Sequence, residues 1–117
     1  MPGCGTSALS ASLRRAGFAR VVSVDSDAEI IAAMRARHPE LDFRCADLTK
    51  PCSALVADGS ADLIVDKATL DCLFCNPLYA HELCATIHRM LAADGRYVVL
   101  SLHDASYVAA FLGFWFS

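Results

Sequence analysis

The chain has 117 residues, a formal net charge of -3 and a sequence pI near 5.7; that is enough for one domain, and it supplies no general electrostatic drive toward nucleic acid or an anionic membrane. With 56% hydrophobic residues, 20% charged residues and a mean hydropathy of +0.41, it is more apolar than an ordinary soluble domain, which fits a sheet covered on both faces. No stretch reaches the roughly 18 apolar residues of a membrane span and no basic start followed by an apolar run opens the chain, so a cytoplasmic setting is expected, with the mitochondrial matrix also compatible.

The opening MPGCGTSALSASL places Gly3 and Gly5 one residue apart ahead of small hydroxyl residues and a helix. Such a turn brings an α/β backbone close to a ligand after a first strand, yet the apolar run of that strand is missing ahead of it. Residues 7–16, with Leu9 and Leu13 four apart and Gly17 as a stop, predict a short helix. RVVSVD then reads as a strand ending at Asp25. Ser26 and Glu29 have capping-box spacing, and the helix they start runs through Ile30, Ala33, Met34 and Arg37 until Pro39 forbids more.

LDFRCAD is a strand ending at Asp47, and residues 48–60 form a Pro- and Gly-punctuated connection with room for a helical turn. ADLIVD is a nearly unbroken apolar strand ending at Asp66. After KATLDCLFCNP a helix from about Tyr79 to Ala92 stops at Asp94 and Gly95 and delivers RYVVLSLH, the last strong strand. The tail YVAAFLGFWFS begins helically and ends in aromatics with no evident partner. Strands alternating with helices imply a mainly parallel, doubly wound α/β sheet whose ligand crevice lies at the strand carboxyl ends.

Three strands thus end in aspartate. Asp25 follows Gly5 by twenty positions, where a carboxylate can accept hydrogen bonds from ribose hydroxyls while the glycine turn admits the ligand to the backbone. It projects from the strand end and is expected to support no core. Gly3, Gly5 and Ala8 also satisfy the dinucleotide fingerprint, so the nucleoside ligand stays open on spacing alone. Of the six cysteines (Cys4, Cys45, Cys52, Cys72, Cys75 and Cys84), only Cys72 and Cys75 have suggestive spacing. No second such pair or histidine pair follows, so no metal site is expected and the thiols read as buried and inert. His38 sits at a helix end, His81 and His88 share a helix, and His103 follows the last strand at the rim of the expected crevice.

PGCGTSALS, VVSVD, CADLT, ADLIVDKATLDCL and LAADGRYVVLSL together resemble the class I S-adenosylmethionine-dependent methyltransferases. More narrowly, they resemble the methyltransferase-like group that modifies lysines of proteins such as elongation factor 1-alpha or citrate synthase. GCGTS with DKATLDCL is the specific part of a resemblance that runs over about residues 2 to 112. The departures are Ala68 where that segment usually has glycine, the absent first strand, and a chain that stops before the family's sixth and seventh strands. The resemblance therefore implies a Rossmann-like doubly wound, mainly parallel sheet that is incomplete, a single partial domain over residues 1–117.

It further implies S-adenosylmethionine as cofactor and a protein with a target lysine as partner. Gly3, Cys4 and Gly5 would border the methionine part of the cofactor, Asp25 would bind the ribose, and Asp47 with the Leu48 amide would read the adenine edge. Asp66 and Lys67 would line the floor near the transferred methyl, and Asp66 and Asp71 are the candidates for relieving the incoming lysine of its proton. Asp71 reads first as a helix-start carboxylate favoured by the dipole, ahead of a substrate role. In the implied strand order the missing strand lies between those ending at Asp25 and Asp66. Its loss leaves unpaired edges on both, and self-association, helped by the FLGFWFS tail, is the expected outcome. Two other functions stay open: a non-catalytic remnant that only binds or scaffolds, and a nicotinamide-dependent oxidoreductase, which Asp47 and the D-K-A-T-L-D segment disfavour.

Overall fold

Each parallel strand pair in this chain is joined through a helix, as parallel pairing demands, because a tight turn cannot return the chain in the same direction. The computed structural model describes residues 1–51 and 55–116; Cys52 and part of the helical turn expected within residues 48–60 lie outside them. The chain divides into two units, Met1–Asp47 and Leu48–Ser117. Among the described residues no helix is long and apolar enough to cross a membrane.

The first unit runs α1 (Leu9–Arg15), β1 (Val22–Asp25), α2 (Ala28–Arg37) and β2 (Asp42–Cys45). β1 and β2 pair in parallel, Val22 opposite Asp42 and Asp25 opposite Cys45. Ile31 and Met34, three apart and so on one helix face, are buried with Cys4 and Phe43, and Met1, Ile30 and Leu41 pack against them. Asp27, rather than the expected Ser26, caps α2: its extended backbone lets the carboxylate accept from the Glu29 and Ile30 amides. An anion at that position also meets the positive end of the helix dipole, which a serine hydroxyl does less well.

The glycine turn is anchored to β1 through the backbone. The Met1 amino group donates to the Val22 carbonyl at 2.7 Å. The Val24 amide donates to the Met1 carbonyl and the Cys4 amide to the Val24 carbonyl, both at 2.9 Å. β1 is therefore bonded along both edges, by β2 on one side and by Met1 and Cys4 on the other, and the unpaired edge expected there is largely satisfied.

The second unit contains β3 (Ala61–Lys67), α3 (Thr69–Leu73), α4 (Pro77–Met90), β4 (Leu91–Leu100) and α5 (Ala105–Leu112). β3 and β4 pair in parallel, with Ile64 opposite Tyr97 and Asp66 opposite Val99. α4 buries Ala80, Leu83, Cys84, Ile87 and Met90, spaced to form one apolar stripe. It begins two residues earlier than expected, because Asn76 caps the Leu78 amide and Pro77 suits the first helical turn. It also ends earlier, at Met90. Leu91 already pairs with Ala61, Arg96 pairs with Leu63, and residues 92–95 form an irregularity in the ladder between them. Gly95 is needed inside that bulge, not as a helix stop, since a Cβ there would lie 2.7 Å from the Ala61 carbonyl oxygen.

The aromatic tail finds partners in its own unit. The Trp115 indole donates to His81 Nδ1 at 3.0 Å, the Phe116 ring lies 5.3 Å from that of Tyr97, and Phe111 meets Phe74 edge-on at 5.1 Å. Phe114 is the member left 76% exposed.

Ala68, between β3 and α3, has φ 65° and ψ 9° and is the one non-glycine residue with positive φ among those described. A Cβ in this left-handed region clashes with the following carbonyl, at a cost of about 1–2 kcal/mol. Ala68→Gly relieves that strain but adds freedom to the unfolded chain. The expected net gain is about 0.5–1 kcal/mol, a rise of roughly 3 °C in Tm. Thermal unfolding followed by circular dichroism checks this, and an unchanged or lower Tm would remove strain at Ala68 as the reason glycine suits the position.

Candidate cofactor site

In the first unit the chemistry gathers where β1 ends. Gly3 and Gly5 have φ of 53° and 49°, a conformation that side chains disfavour, and this lets the chain double back after Cys4. A Cβ built on Gly5 would meet nothing within 4 Å, so Gly5 presents bare backbone to open space. The Gly5 amide donates to Asp25 Oδ2 at 2.9 Å, and the Asp27 amide donates to Asp25 Oδ1 at 3.0 Å.

Asp25 therefore ties the glycine turn to the entry of α2 through its carboxylate, while remaining outside the buried core. A carboxylate has about four acceptor positions, and these two bonds leave capacity for two hydroxyl donors. Cys4 is 2% exposed and sits in the core; burial, and then the charge of Asp25, push its thiol above the ordinary value. Only its backbone borders the turn. Asp47 lies two residues beyond β2 and is half-buried, and Leu48, the first residue of the second unit, is buried.

A cavity of about 170 Å³, lined by residues including Arg14, Arg20, Val22 and Asp42, lies at the amino ends of β1 and β2. That is the opposite end of β1 from Asp25. Chemistry, not cavity volume, marks the candidate site.

In the second unit Asp66 is completely buried. Its Oδ1 accepts from the Thr69 amide at 2.7 Å, and its Oδ2 accepts from the Leu70 amide at 3.1 Å and the Tyr97 hydroxyl at 2.8 Å. Burial pushes the carboxyl up from its ordinary value, and those donors offset part of the rise. The buried Cys84 thiol is pushed up to about 12, by burial first and the Asp66 charge second. Tyr97 is likewise pushed up by burial and by Asp66. Lys67 is exposed at the end of β3, opposite Leu100.

Asp71 is half-buried and accepts from the Ser101 hydroxyl at 2.5 Å and the Leu102 amide at 2.7 Å. Burial alone would raise its carboxyl, but the Ser101 hydroxyl, the Leu102 amide and the His103 charge together hold it below the usual range. Asp71 thus fastens α3 to the loop after β4. His103 stacks edge-on with Phe74 at 5.0 Å. The partners Tyr97 and Ser101 escape sequence reading because their proximity to Asp66 and Asp71 depends on the β3–β4 register, and no local pattern encodes that register.

A raised carboxyl gives a definite pH dependence. Between the ordinary value of 3.8 and the raised folded value, the folded state binds more protons at Asp66 than the unfolded state does. Its contribution to stability therefore falls as pH rises through that window and is flat above it. The depressed carboxyls of Asp42 and Asp71 act in the opposite sense and below 3.8. Unfolding free energies of wild type and Asp66→Asn, measured from pH 4 upward, are expected to differ in slope between the ordinary and the raised value of Asp66 and to run parallel above it. Curves parallel throughout would remove Asp66 as the titrating group.

The sequence matches the family model of the methyltransferase domain over residues 1–99. It is 31% identical over 106 residues to the eEF1A lysine and N-terminal methyltransferase of Danio rerio, covering 86% of this chain and 15% of that protein. It is 40% identical over 74 residues to EEF1A lysine methyltransferase 4 of Bos taurus, covering 61% of this chain and 28% of that protein. The chain thus spans well under a third of the length of these relatives. Among solved structures, a TehB-like SAM-dependent methyltransferase from Corynebacterium glutamicum superposes with a TM-score of 0.75 at 25% identity, over 96% of this chain and 60% of the other. The PH0226 protein of Pyrococcus horikoshii superposes with a TM-score of 0.72 at 22% identity, over 84% of this chain and 45% of the other. The α/β fold with parallel strands is that of the Rossmann-like methyltransferases.

Proposed function

We propose, from the premise that this chain belongs to the methyltransferase domain family, that it holds S-adenosylmethionine at the glycine turn and serves methyl transfer to a lysine of a protein. The observation that carries this reading is the Gly5–Asp25 hydrogen bond of 2.9 Å. It joins a glycine with open space where a side chain would be to a carboxylate with acceptor capacity left, the combination a ribose and its 5′ substituent require.

When bound, S-adenosylmethionine supplies a methyl group on a cationic sulfur, already activated for transfer. The chain has then to bind, orient and exclude water. Gly3, Cys4 and Gly5 would border the ligand with backbone, Asp25 would accept from the ribose hydroxyls, and Asp47 would meet the adenine edge. Lysine is protonated at neutral pH, so an incoming amine needs a carboxylate or a desolvating wall to lose its proton. Asp71, half-buried at the start of α3, is the carboxylate proposed for the first task, and Lys67 lies on the same strand-to-helix corner. Asp66, fully buried and engaged by the Thr69 and Leu70 amides and the Thr69 and Tyr97 side chains, suits the positioning of that corner. The names of the relatives make a lysine of elongation factor 1-alpha the first substrate to test.

The test is a thermal-shift comparison of S-adenosylhomocysteine with NAD, followed by mass spectrometry of elongation factor 1-alpha incubated with the chain and S-adenosylmethionine. At a hundredfold excess over Kd, a specific ligand adds about 2.7 kcal/mol of stability, so a clear rise in Tm is expected with S-adenosylhomocysteine alone. A rise with NAD alone would overturn the cofactor, and binding without methyl transfer would leave the chain as a binding piece.

A further inference from the structure

The expectation that the cysteines are buried and inert holds only for some of them. Cys4 and Cys84 are buried, whereas Cys45, Cys72 and Cys75 are exposed free thiols. Cys72 and Cys75 stand at the corner between α3 and α4. Leu73 is helical and Phe74 keeps helical dihedrals of -62° and -18°, so the two cysteines lie one turn apart on one side of the chain. For that geometry the Cα atoms are separated by about 5 Å, inside the 4.4–6.8 Å that a disulfide spans. The Cys75 thiol also folds back to donate to the Cys72 carbonyl at 3.2 Å, which brings its sulfur over the backbone of its partner. Among the described residues no group of three or more histidine, cysteine or acidic side chains could hold a metal ion.

We propose that Cys72 and Cys75 form a thiol–disulfide exchange site that takes low-molecular-weight disulfides such as oxidised glutathione. One cysteine thiol loses its proton, and its sulfur attacks one sulfur of the small disulfide. That bond breaks, one small thiolate leaves, and a mixed disulfide remains on the protein. The second cysteine, deprotonated in turn, attacks the protein-side sulfur, forming the Cys72–Cys75 bond and expelling the second small thiolate. The protein dithiol gives up two electrons, the small disulfide is reduced to two thiols, and the two protons go to the two departing thiolates. Both residues are exposed, which meets the access requirement of this chemistry. The buried Cys84, raised to about 12, is the contrasting thiol that stays out of it.

The bond would close across a functionally placed segment. Asp71 immediately precedes Cys72, and Phe74, between the two cysteines, packs against the rings of His103, Tyr107 and Phe111. Oxidation thereby restrains the end of α3 that carries Asp71. This inference rests on the thiol geometry and not on the methyltransferase reading.

The experiment incubates the reduced full chain with mixtures of reduced and oxidised glutathione, unfolds it in N-ethylmaleimide to trap free thiols, and maps the tryptic peptide of residues 68–89. In oxidising mixtures Cys72 and Cys75 are expected to lose both alkyl groups to an internal bond while Cys84 keeps its own. Dithiothreitol before trapping is expected to restore both. Cys72→Ser and Cys75→Ser are each expected to stop with glutathione on the remaining thiol. Glutathione on the wild-type pair without an internal bond, a bond to Cys45 or Cys84, or two unreacted thiols would each overturn the proposal.

Discussion

Asp66→Ala is expected to cost about 3 kcal/mol of folding stability. The substitution leaves the Thr69 and Leu70 amides and the Tyr97 hydroxyl without their common acceptor. Buried donors left unpaired cost about 1–3 kcal/mol each. Removing a buried carboxylate returns part of that sum, because its desolvation no longer opposes folding. Against a total stability of about 5–15 kcal/mol, the remainder is a large fraction. Asp66→Asn keeps an acceptor oxygen of the same reach and is expected to lose about 1 kcal/mol. Urea unfolding of the two variants beside wild type decides the matter, and equal midpoints for all three would show that α3 and Tyr97 do not depend on this carboxylate. The asparagine variant serves a second purpose: it is expected to lower turnover on a lysine-containing substrate more than affinity for S-adenosylhomocysteine, as misplacement of the α3 corner requires. Wild-type turnover would dismiss Asp66 from the reaction altogether.

Asp25→Ala is expected to reduce affinity for S-adenosylhomocysteine by about 2–4 kcal/mol, roughly 30- to 1000-fold, through loss of charge-assisted bonds to the ribose. The structure adds a second cost. The Gly5 and Asp27 amides lose their acceptor, so the glycine turn loosens and stability is expected to fall by about 1 kcal/mol, a modest amount because Asp27 is exposed to water. Asp25→Asn can still accept from one amide and is expected to recover most of the stability but little of the affinity. Calorimetric titration and thermal unfolding separate the two effects. Unchanged affinity in the alanine variant would take Asp25 out of the site.

Local chemistry determined the alternation of strands and helices apart from the short α3, the carboxylate at the end of β1 and the family resemblance, since apolar runs, capping residues and glycine spacing act over a few residues and are readable in the chain. The resemblance also marked Ala68 as a departure from the family's glycine, although only the observed φ of 65° shows why glycine suits the position. The tertiary structure decided what strand register and packing control. Parallel pairing of β3 with β4 carries Tyr97 to Asp66 and Ser101 to Asp71 from about thirty residues away, and no local pattern specifies that meeting. Burial turned Asp66 from a strand-end acid into a buried anchor of α3. The hydrogen bonds from Met1 and Cys4 to β1 likewise depend on where the backbone lies, because a polar backbone group is satisfied by any correctly placed partner, whatever its side chain.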